Sequence, residues 1–237
     1  MPRTQAFNDF IPVLRTAREL VAIDSRDFHD PPQPAEQNSV RGLRGGSAVL
    51  MVAGFEAYLD DVLREFIEYT RSFAPAVVFS SLPDQMRVKN VFGTLEIALK
   101  GPPYQPAGTK LSRLPAIHAA STIVANENLN PEAFGGTAGN PAKVAVREVL
   151  KSVGIADVYA QIKPRFETKW GAPVHDSFIG DKLDEIVRRR HRVAHRAEAL
   201  SISRQDLRDG AKFLRALAET IDIQLGYHFR RVCRISR

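Results

Sequence analysis

The stretch "GSAVLMVAGFEAYLDDVLREFIEYT", residues 46–70, constrains the fold more than any other part of this chain. Its periodicity is helical, but apolar residues fall on more than one side of the helix. One neighbour cannot cover such a helix, so it must run through the middle of a bundle. The flanking segments supply the cover. "NDFIPVLRTARELVAI" reads as a helix with Leu14, Ala17, Leu20 and Val21 on one side, and the Pro-rich "DPPQPAEQNS" follows as a loop. "DQMRVKNVFGTLEIALK" reads as a helix that stops at Gly101-Pro102-Pro103, and "LPAIHAASTIVANEN" as one that starts near Pro115. Asn140-Pro141 is placed as a cap and first position for "AKVAVREVLKSVG", which Gly154 ends. "GDKLDEIVRRRHRVAHRAEA" is the next helix. Ser203 and Asp206 match a capping box opening the last one, "RQDLRDGAKFLRALAETIDIQLGYHF". Loops are expected near 27–40, 101–112, 128–140 and 164–178. No strand alternation and no long linker stand out, so the expectation is one all-α domain over 1–237, with extra helices and long loops.

Lys and Arg outnumber Asp and Glu by 33 to 27, a net charge of +6, which favours an anionic partner with nucleic acid first in line. The single cysteine, Cys233, rules out an intrachain disulfide and a cysteine-based zinc site. No apolar run approaches the roughly 18 residues that span a membrane, and "MPRTQAFNDF" lacks an apolar signal core, so a cytoplasmic protein without a membrane partner is expected.

The chemistry concentrates in "RRRHRVAH", residues 188–195. On a wheel of about 100° per residue, Leu183, Ile186, Val187 and Ala194 mark a buried stripe with Arg190 in its middle. His191 and His195 share one flank with Arg188 beside them, while Arg189, Arg192 and Arg196 fall on the far side and read as a solvated face. A guanidinium on a core stripe costs several kcal/mol unless it is paired or lines a polar cleft. Residues 46–70 offer partners: Glu56 and Asp60 lie four residues apart on a stripe with Val49, Val52, Ala53, Leu63 and Ile67. That pairing reads equally as a structural ion pair. The i, i+4 spacing of His191 and His195 suits a shared metal, but no glutamate stands between them as a zincin requires.

Arg190 to His195 also resembles the R-x(4–6)-H signature of the HEPN superfamily, in which a polar residue commonly follows the arginine. The spacing recurs at Arg113 and His118, where Leu114 follows the arginine and Pro115 interrupts the segment, so context assigns the motif to the 190–195 copy. "VLMVAGFEAYLDDVLREFIE" resembles the acid-bearing early helix of the RiboL-PSP-type branch, and "NPAKVAVREVLKSVGI" its middle helix. The resemblance spans roughly 45–230. It implies a helical bundle and a metal-independent endoribonuclease without a cofactor, acting as a homodimer whose motifs face one another across a cleft. It further implies attack of the RNA 2′-hydroxyl on the adjacent phosphate, leaving a 2′,3′-cyclic phosphate and a 5′-hydroxyl. Arg190, His191 and His195 would be catalytic, with Glu56 anchoring Arg190 and Asp60 supporting it. Arg188, Arg189, Arg192 and Arg196 would bind RNA.

A toxin or defence effector held by an antitoxin or regulatory protein fits this picture. So does a non-catalytic HEPN module that binds RNA or protein, and a purely structural helical protein stays open. Tyr104, Phe134 and Trp170 can stack on bases or pin loops to the core. "FGGTAGN" lacks the Gly-Lys-Ser/Thr ending of a P-loop and reads as a loop, and "RRVCRISR" reads as a basic or solvated tail.

Overall fold

The computed structural model describes residues 3–72, 77, 79–101, 108–123, 125–126, 128–136, 139–196 and 198–235, and the side chains of Ser81, Arg196, Arg234 and Ile235 are outside that description. Its α-helices run in the order α1 (Gln5–Asp27), α2 (Gln37–Ser72), α3 (Asp84–Lys100), α4 (Leu114–Ser121), α5 (Lys143–Ser152), α6 (Val158–Trp170), α7 (Phe178–Arg196) and α8 (Arg204–Ile235), and no strand occurs among the described residues. The all-α class read from the periodicity is therefore what the chain adopts.

Helix α2 is the central element. Fully or nearly fully buried residues such as Met51, Phe55, Tyr58, Leu59, Val62 and Ile67 face α1, α7 and α8 in turn. Helix α1 starts at Thr4, whose hydroxyl accepts the Phe7 N–H, and lays Phe7, Phe10, Leu14, Ala17 and Val21 against α2 at helical spacing. The two helices approach closely because Gly54 has no side chain: a Cβ there would stand 2.6 Å from Val13 Cγ1 and 3.2 Å from Phe10. Phe10, Phe55 and Tyr58 form one aromatic cluster, and the Tyr58 hydroxyl donates to the Ala218 carbonyl at 2.8 Å, tying α2 to α8. Deleting one member of such a cluster typically costs about 3–5 kcal/mol.

A buried ion cluster that the helix wheels gave no sign of closes the far end of the bundle. Asp24 at the end of α1 is fully buried and receives Arg44 Nε at 2.8 Å and Arg204 Nε and Nη2 at 3.0 Å each. Arg44 also donates to the Ile202 carbonyl at 3.1 Å and to Asp30 at 3.0 Å, and Arg204 to the Asp24, Phe28 and His29 carbonyls. Every partner needed to offset desolvation is thus present. The cluster binds α1, α2 and the start of α8, and it holds the turn that follows α7.

Several boundaries differ from the sequence expectation. Residues 164–170, expected as loop, belong to α6, where Phe166 is fully buried and Pro164 is tolerated inside the helix. Asp157 caps α6, and Gly171, at φ +91°, ends it in the left-handed region. The cap of α5 is Ala142 rather than Asn140, with Lys143 as first helical residue. Helix α4 closes at Ser121 and does not reach Asn128. The expected C-terminal tail is helix through Ile235, because Val232 and Cys233 are buried against the bundle; residues 236–237 are outside the description. The capping box holds: Ser203 N–H reaches Asp206 Oδ2 at 3.2 Å and the Asp206 N–H reaches Ser203 Oγ at 3.0 Å.

Candidate active site

Helix α7 leaves the core partway along its length. Ile179, Leu183, Ile186 and Val187 are buried, whereas Ala194 is exposed and Arg190 half-buried. The buried stripe therefore stops at Val187, and Ala194 and Arg190 are not core positions as the wheel suggested. Beyond Val187 the contact passes to Val193, which meets Gly45 of α2, where a Cβ would stand 3.1 Å from Val193 Cγ1. Freed from the core, Arg190 lines an open cleft of about 610 Å³ together with Asp184, Val187, Arg188, His191 and His195 of α7 and Gly139, Asn140 and Ala142 of the facing loop. The cleft is the second of the two outlets that a guanidinium on that side of the helix requires.

The histidines are exposed and adjacent, with ring centroids 4.3 Å apart and planes at 47°. Asp184, Arg188, His191 and His195 follow one another at spacings of four, three and four residues, so they form a single polar row along α7. Arg190 reaches the cleft from the edge of that row. Its Nε is buried and has no hydrogen-bond partner among the described residues.

The opposite wall is built from the segment between α4 and α5. Pro131–Phe134 form a 3-10 turn capped by Asn130, whose side chain accepts the Glu132 N–H at 3.2 Å. Asn90 of α3 fixes this turn by donating to the Asn128 carbonyl at 2.9 Å and accepting the Asn130 N–H at 2.8 Å. From there residues 135–136 and 139–140 cross α2. Gly136 N–H donates to Asp60 at 2.8 Å, and a Cβ on Gly139, at φ +81°, would stand 4.0 Å from Glu56 Oε1. The wall is stapled to α7 by Lys143, whose N–H donates to Asp184 at 2.8 Å and whose amine pairs with Asp181 at 3.1 Å. Both carboxylates hold that amine above the usual lysine range.

Gly136 and Gly139 accordingly stand against Asp60 and Glu56. The expected Glu56–Arg190 pair is not among the ion pairs of the described residues; the loop carrying Gly136 and Gly139 stands against the acids instead. Ala53, placed on their stripe as a core residue, is exposed. Burial pushes the Asp60 carboxyl above its usual range, and the Gly136 N–H and Arg64 offset this only in part while Glu56 adds to it. A raised value means that the fold disfavours the ionised form, so Asp60 weighs against folding once pH climbs past it. Asp60→Asn is therefore expected to melt no lower than the native chain at neutral pH, and the two should converge below the carboxylate range. A variant that melts well below the native chain at neutral pH would show instead that the charge holds the loop.

The remaining arginines divide. Arg188 is exposed in the cleft. Arg189 is no solvated residue: it pairs with Glu185 and, at 2.8 Å, with Asp206 of the α8 capping box, because α8 doubles back along that side of α7. Arg192 is half-buried with its Nε enclosed, and the Arg196 side chain is outside the described residues. Phe134 is fully buried, and Trp170 packs among Phe166, Phe178 and Phe213 with the Lys212 amine over its ring, so neither offers a face to a base; Tyr104 is outside the described residues. Arg113 of the second R-x4-H match donates to the Leu99 and Gly108 carbonyls. Sequence reasoning missed Asp184, Asn140 and Lys143. The signal for Asp184 was its place in the 184–188–191–195 row; loop residues such as Asn140 carry no comparable periodicity. No helix of the described residues is long and apolar enough to cross a membrane, and none of their His, Cys, Asp and Glu side chains form a group of three suited to a metal.

The all-α bundle is consistent with a HEPN-like domain. The RiboL-PSP-HEPN family model matches residues 14–227, nearly the whole chain, and the chain belongs to that family. No curated protein and no solved structure matches it. HEPN domains are often ribonucleases, and membership gives the chain an RNA-related, nuclease-type setting.

Proposed function

We propose that the chain is a metal-independent endoribonuclease that cuts RNA by attack of a 2′-hydroxyl on the adjacent phosphate. One observation carries this reading: Arg188, Arg190, His191 and His195 converge on a single open cleft in a HEPN domain, a class whose members are often ribonucleases. The reaction needs one base and one acid, and two neighbouring imidazoles supply both. One imidazole takes the proton of the 2′-hydroxyl as its oxygen bonds to phosphorus. The other gives a proton to the 5′-oxygen as its bond to phosphorus breaks. The products are a 2′,3′-cyclic phosphate and a 5′-hydroxyl. Arg190 and Arg188, which line the cleft beside the histidines, stabilise the charge that builds on the phosphate oxygens. RNA carries its own nucleophile, so the protein has to position, neutralise and move protons. In this reading the cell uses the activity as a toxin or defence effector restrained by a partner protein.

Incubation with total RNA in EDTA, followed by end-group analysis, tests the reaction. Cyclic phosphate and 5′-hydroxyl ends are expected; 5′-phosphate ends, or cleavage abolished by EDTA, reject it. RNA retention without cleavage would favour the non-catalytic binding module. A homodimer with facing 188–195 segments belongs to the same proposal. If each site draws on both copies, mixing Arg190→Ala with His195→Ala protein restores part of the activity; no recovery on mixing means that each chain holds a complete site.

A further inference from the structure

We propose that the outer edge of the α6–α8 contact, centred on Tyr227, is a second RNA-binding site that holds a single-stranded stretch of substrate outside the cleft. Gln161 and Arg165 stand one turn apart on α6. Gln224, Tyr227 and Arg231 follow one another at spacings of three and four residues on α8, so each helix presents one row here. Tyr227 is 52% exposed, although Leu225, His228 and Phe229 around it are buried. The guanidinium carbons of Arg165 and Arg230 lie over its ring, 4.7 Å and 4.8 Å from the centroid. Gln224 ties the two rows together: its side-chain oxygen accepts Arg165 Nη1 at 2.7 Å, and its amide donates to Gln161 Oε1 at 3.0 Å. Arg230 Nε donates to the Gly226 carbonyl at 3.0 Å.

The charge of this surface is not balanced from within. Among the described residues Arg165, Arg230 and Arg231 are in no ion pair. The acids nearest them on the two helices are engaged elsewhere: Glu167 accepts the Val174 N–H, Glu219 holds Arg3 and Lys169, and Asp222 accepts the Thr4 hydroxyl. Beyond Asp222 the chain carries Arg230, Arg231, Arg234 and Arg237 and no acid. An uncompensated positive surface attracts an anion, and the exposed ring between two guanidiniums selects its kind. Unpaired bases stack on aromatic rings and on guanidinium planes alike, while arginine N–H groups meet the phosphates between them. A duplex keeps its bases stacked on each other, so the site suits a single strand. It is separate from the cleft, which none of these residues lines. Tyr227 stands about 30 Å along α8 from Asp206, the partner of Arg189 on α7. The proposal rests on the reading that the chain acts on RNA, but not on the cleft performing the cut.

The test is binding of a fluorescent single-stranded 2′-O-methyl RNA to the full chain, read by anisotropy. A probe of about 20 nucleotides exceeds that separation even at about 3.4 Å per nucleotide. Its blocked 2′-oxygen is no nucleophile, so binding is read whether or not the chain cuts RNA. Tyr227→Ala removes an exposed ring; it should leave the circular dichroism unchanged and weaken binding about tenfold. Arg165→Gln with Arg230→Gln should lower the slope of log affinity against log salt by about 1.4, the release from two phosphates of a single strand. Arg15→Gln with Arg18→Gln removes equal charge from the exposed side of α1 and should leave that slope nearly unchanged. A duplex of the same length should bind the native and Tyr227→Ala chains alike. A native chain that does not bind the probe overturns the proposal together with the RNA reading. Binding that neither the Tyr227 nor the Arg165 and Arg230 substitutions weaken overturns this site alone, as does an equal loss of slope from the α1 pair. Tyr227-dependent binding by a chain that cuts nothing supports the site and removes only the cleavage reading.

Discussion

Replacing His195 by alanine is expected to lower RNA cleavage by about 10²- to 10⁴-fold, the usual cost of losing a general acid or base. Arg190→Ala should cost a comparable factor, because a phosphate-directed cation then no longer meets the charge that develops in the transition state. Both should leave the melting temperature nearly unchanged. His195 is exposed, and the Arg190 Nε is unpartnered within the described residues, so neither removal opens a cavity or strands a counter-charge. That separates chemistry from folding, which many active-site substitutions do not. His191→Ala distinguishes the two imidazoles: a loss equal to that of His195→Ala assigns both a proton transfer. Native rates in the His195→Ala protein would remove the cleft from the reaction and leave the RNA-binding reading ahead.

The second large effect is on stability. Arg44→Ala is expected to cost about 3–5 kcal/mol, since it leaves Asp24 and Asp30 without a principal partner and the Ile202 carbonyl without its donor. For a chain of this size that lowers the melting temperature by roughly 6–20 °C. The same cluster sets an acid limit. Burial raises the Asp24 carboxyl, but hydrogen bonds from Arg204 and Arg44 and their charges outweigh it, so its value lies below the ordinary 3.8. A depressed folded value contributes stability that is fully present above the unfolded value and is lost as pH falls through the folded one. Melting in acid should therefore fall less steeply in Arg44→Ala than in the native chain. Replacing Asp24, Arg44 and Arg204 together by Leu, Met and Met should recover much of the loss, because a buried ion cluster owes little of its worth to attraction over apolar packing. If the triple variant is no more stable than Arg44→Ala, the cluster is held by its carbonyl contacts instead.

Asp24 and Asp60 show why a helix wheel misjudges how a buried acid is wired. Both are acids on helices that are otherwise apolar on that side, and periodicity treats them alike. The fold gives one of them two guanidiniums and the other a glycine N–H, and their ionisation moves in opposite directions. The wheel of α7 likewise put Arg190 and Ala194 in the core because it assumed that the neighbours accompany the helix to its end. They do not: beyond Val187 the contact with α2 passes to Val193, which meets Gly45, while Arg190 is half-buried beside the cleft and Ala194 is exposed.

What the amino-acid sequence by itself determined is the part governed by local periodicity and local chemistry. The all-α class, the central position of residues 46–70, the capping box at Ser203 and the Arg190–His195 motif all follow from spacing along one helix, and a helix preserves that spacing wherever it packs. What only the tertiary structure decided is which helix end meets which. It made a helix of 164–170 by burying Phe166, drew Arg189 onto Asp206, closed Asp24, Arg44 and Arg204 into one cluster, and set Gly136 against Asp60 and Gly139 between Glu56 and the cleft. These contacts join residues 17 to 180 positions apart. Their energies depend on burial and on a partner's exact approach, and neither is encoded in the few residues on either side.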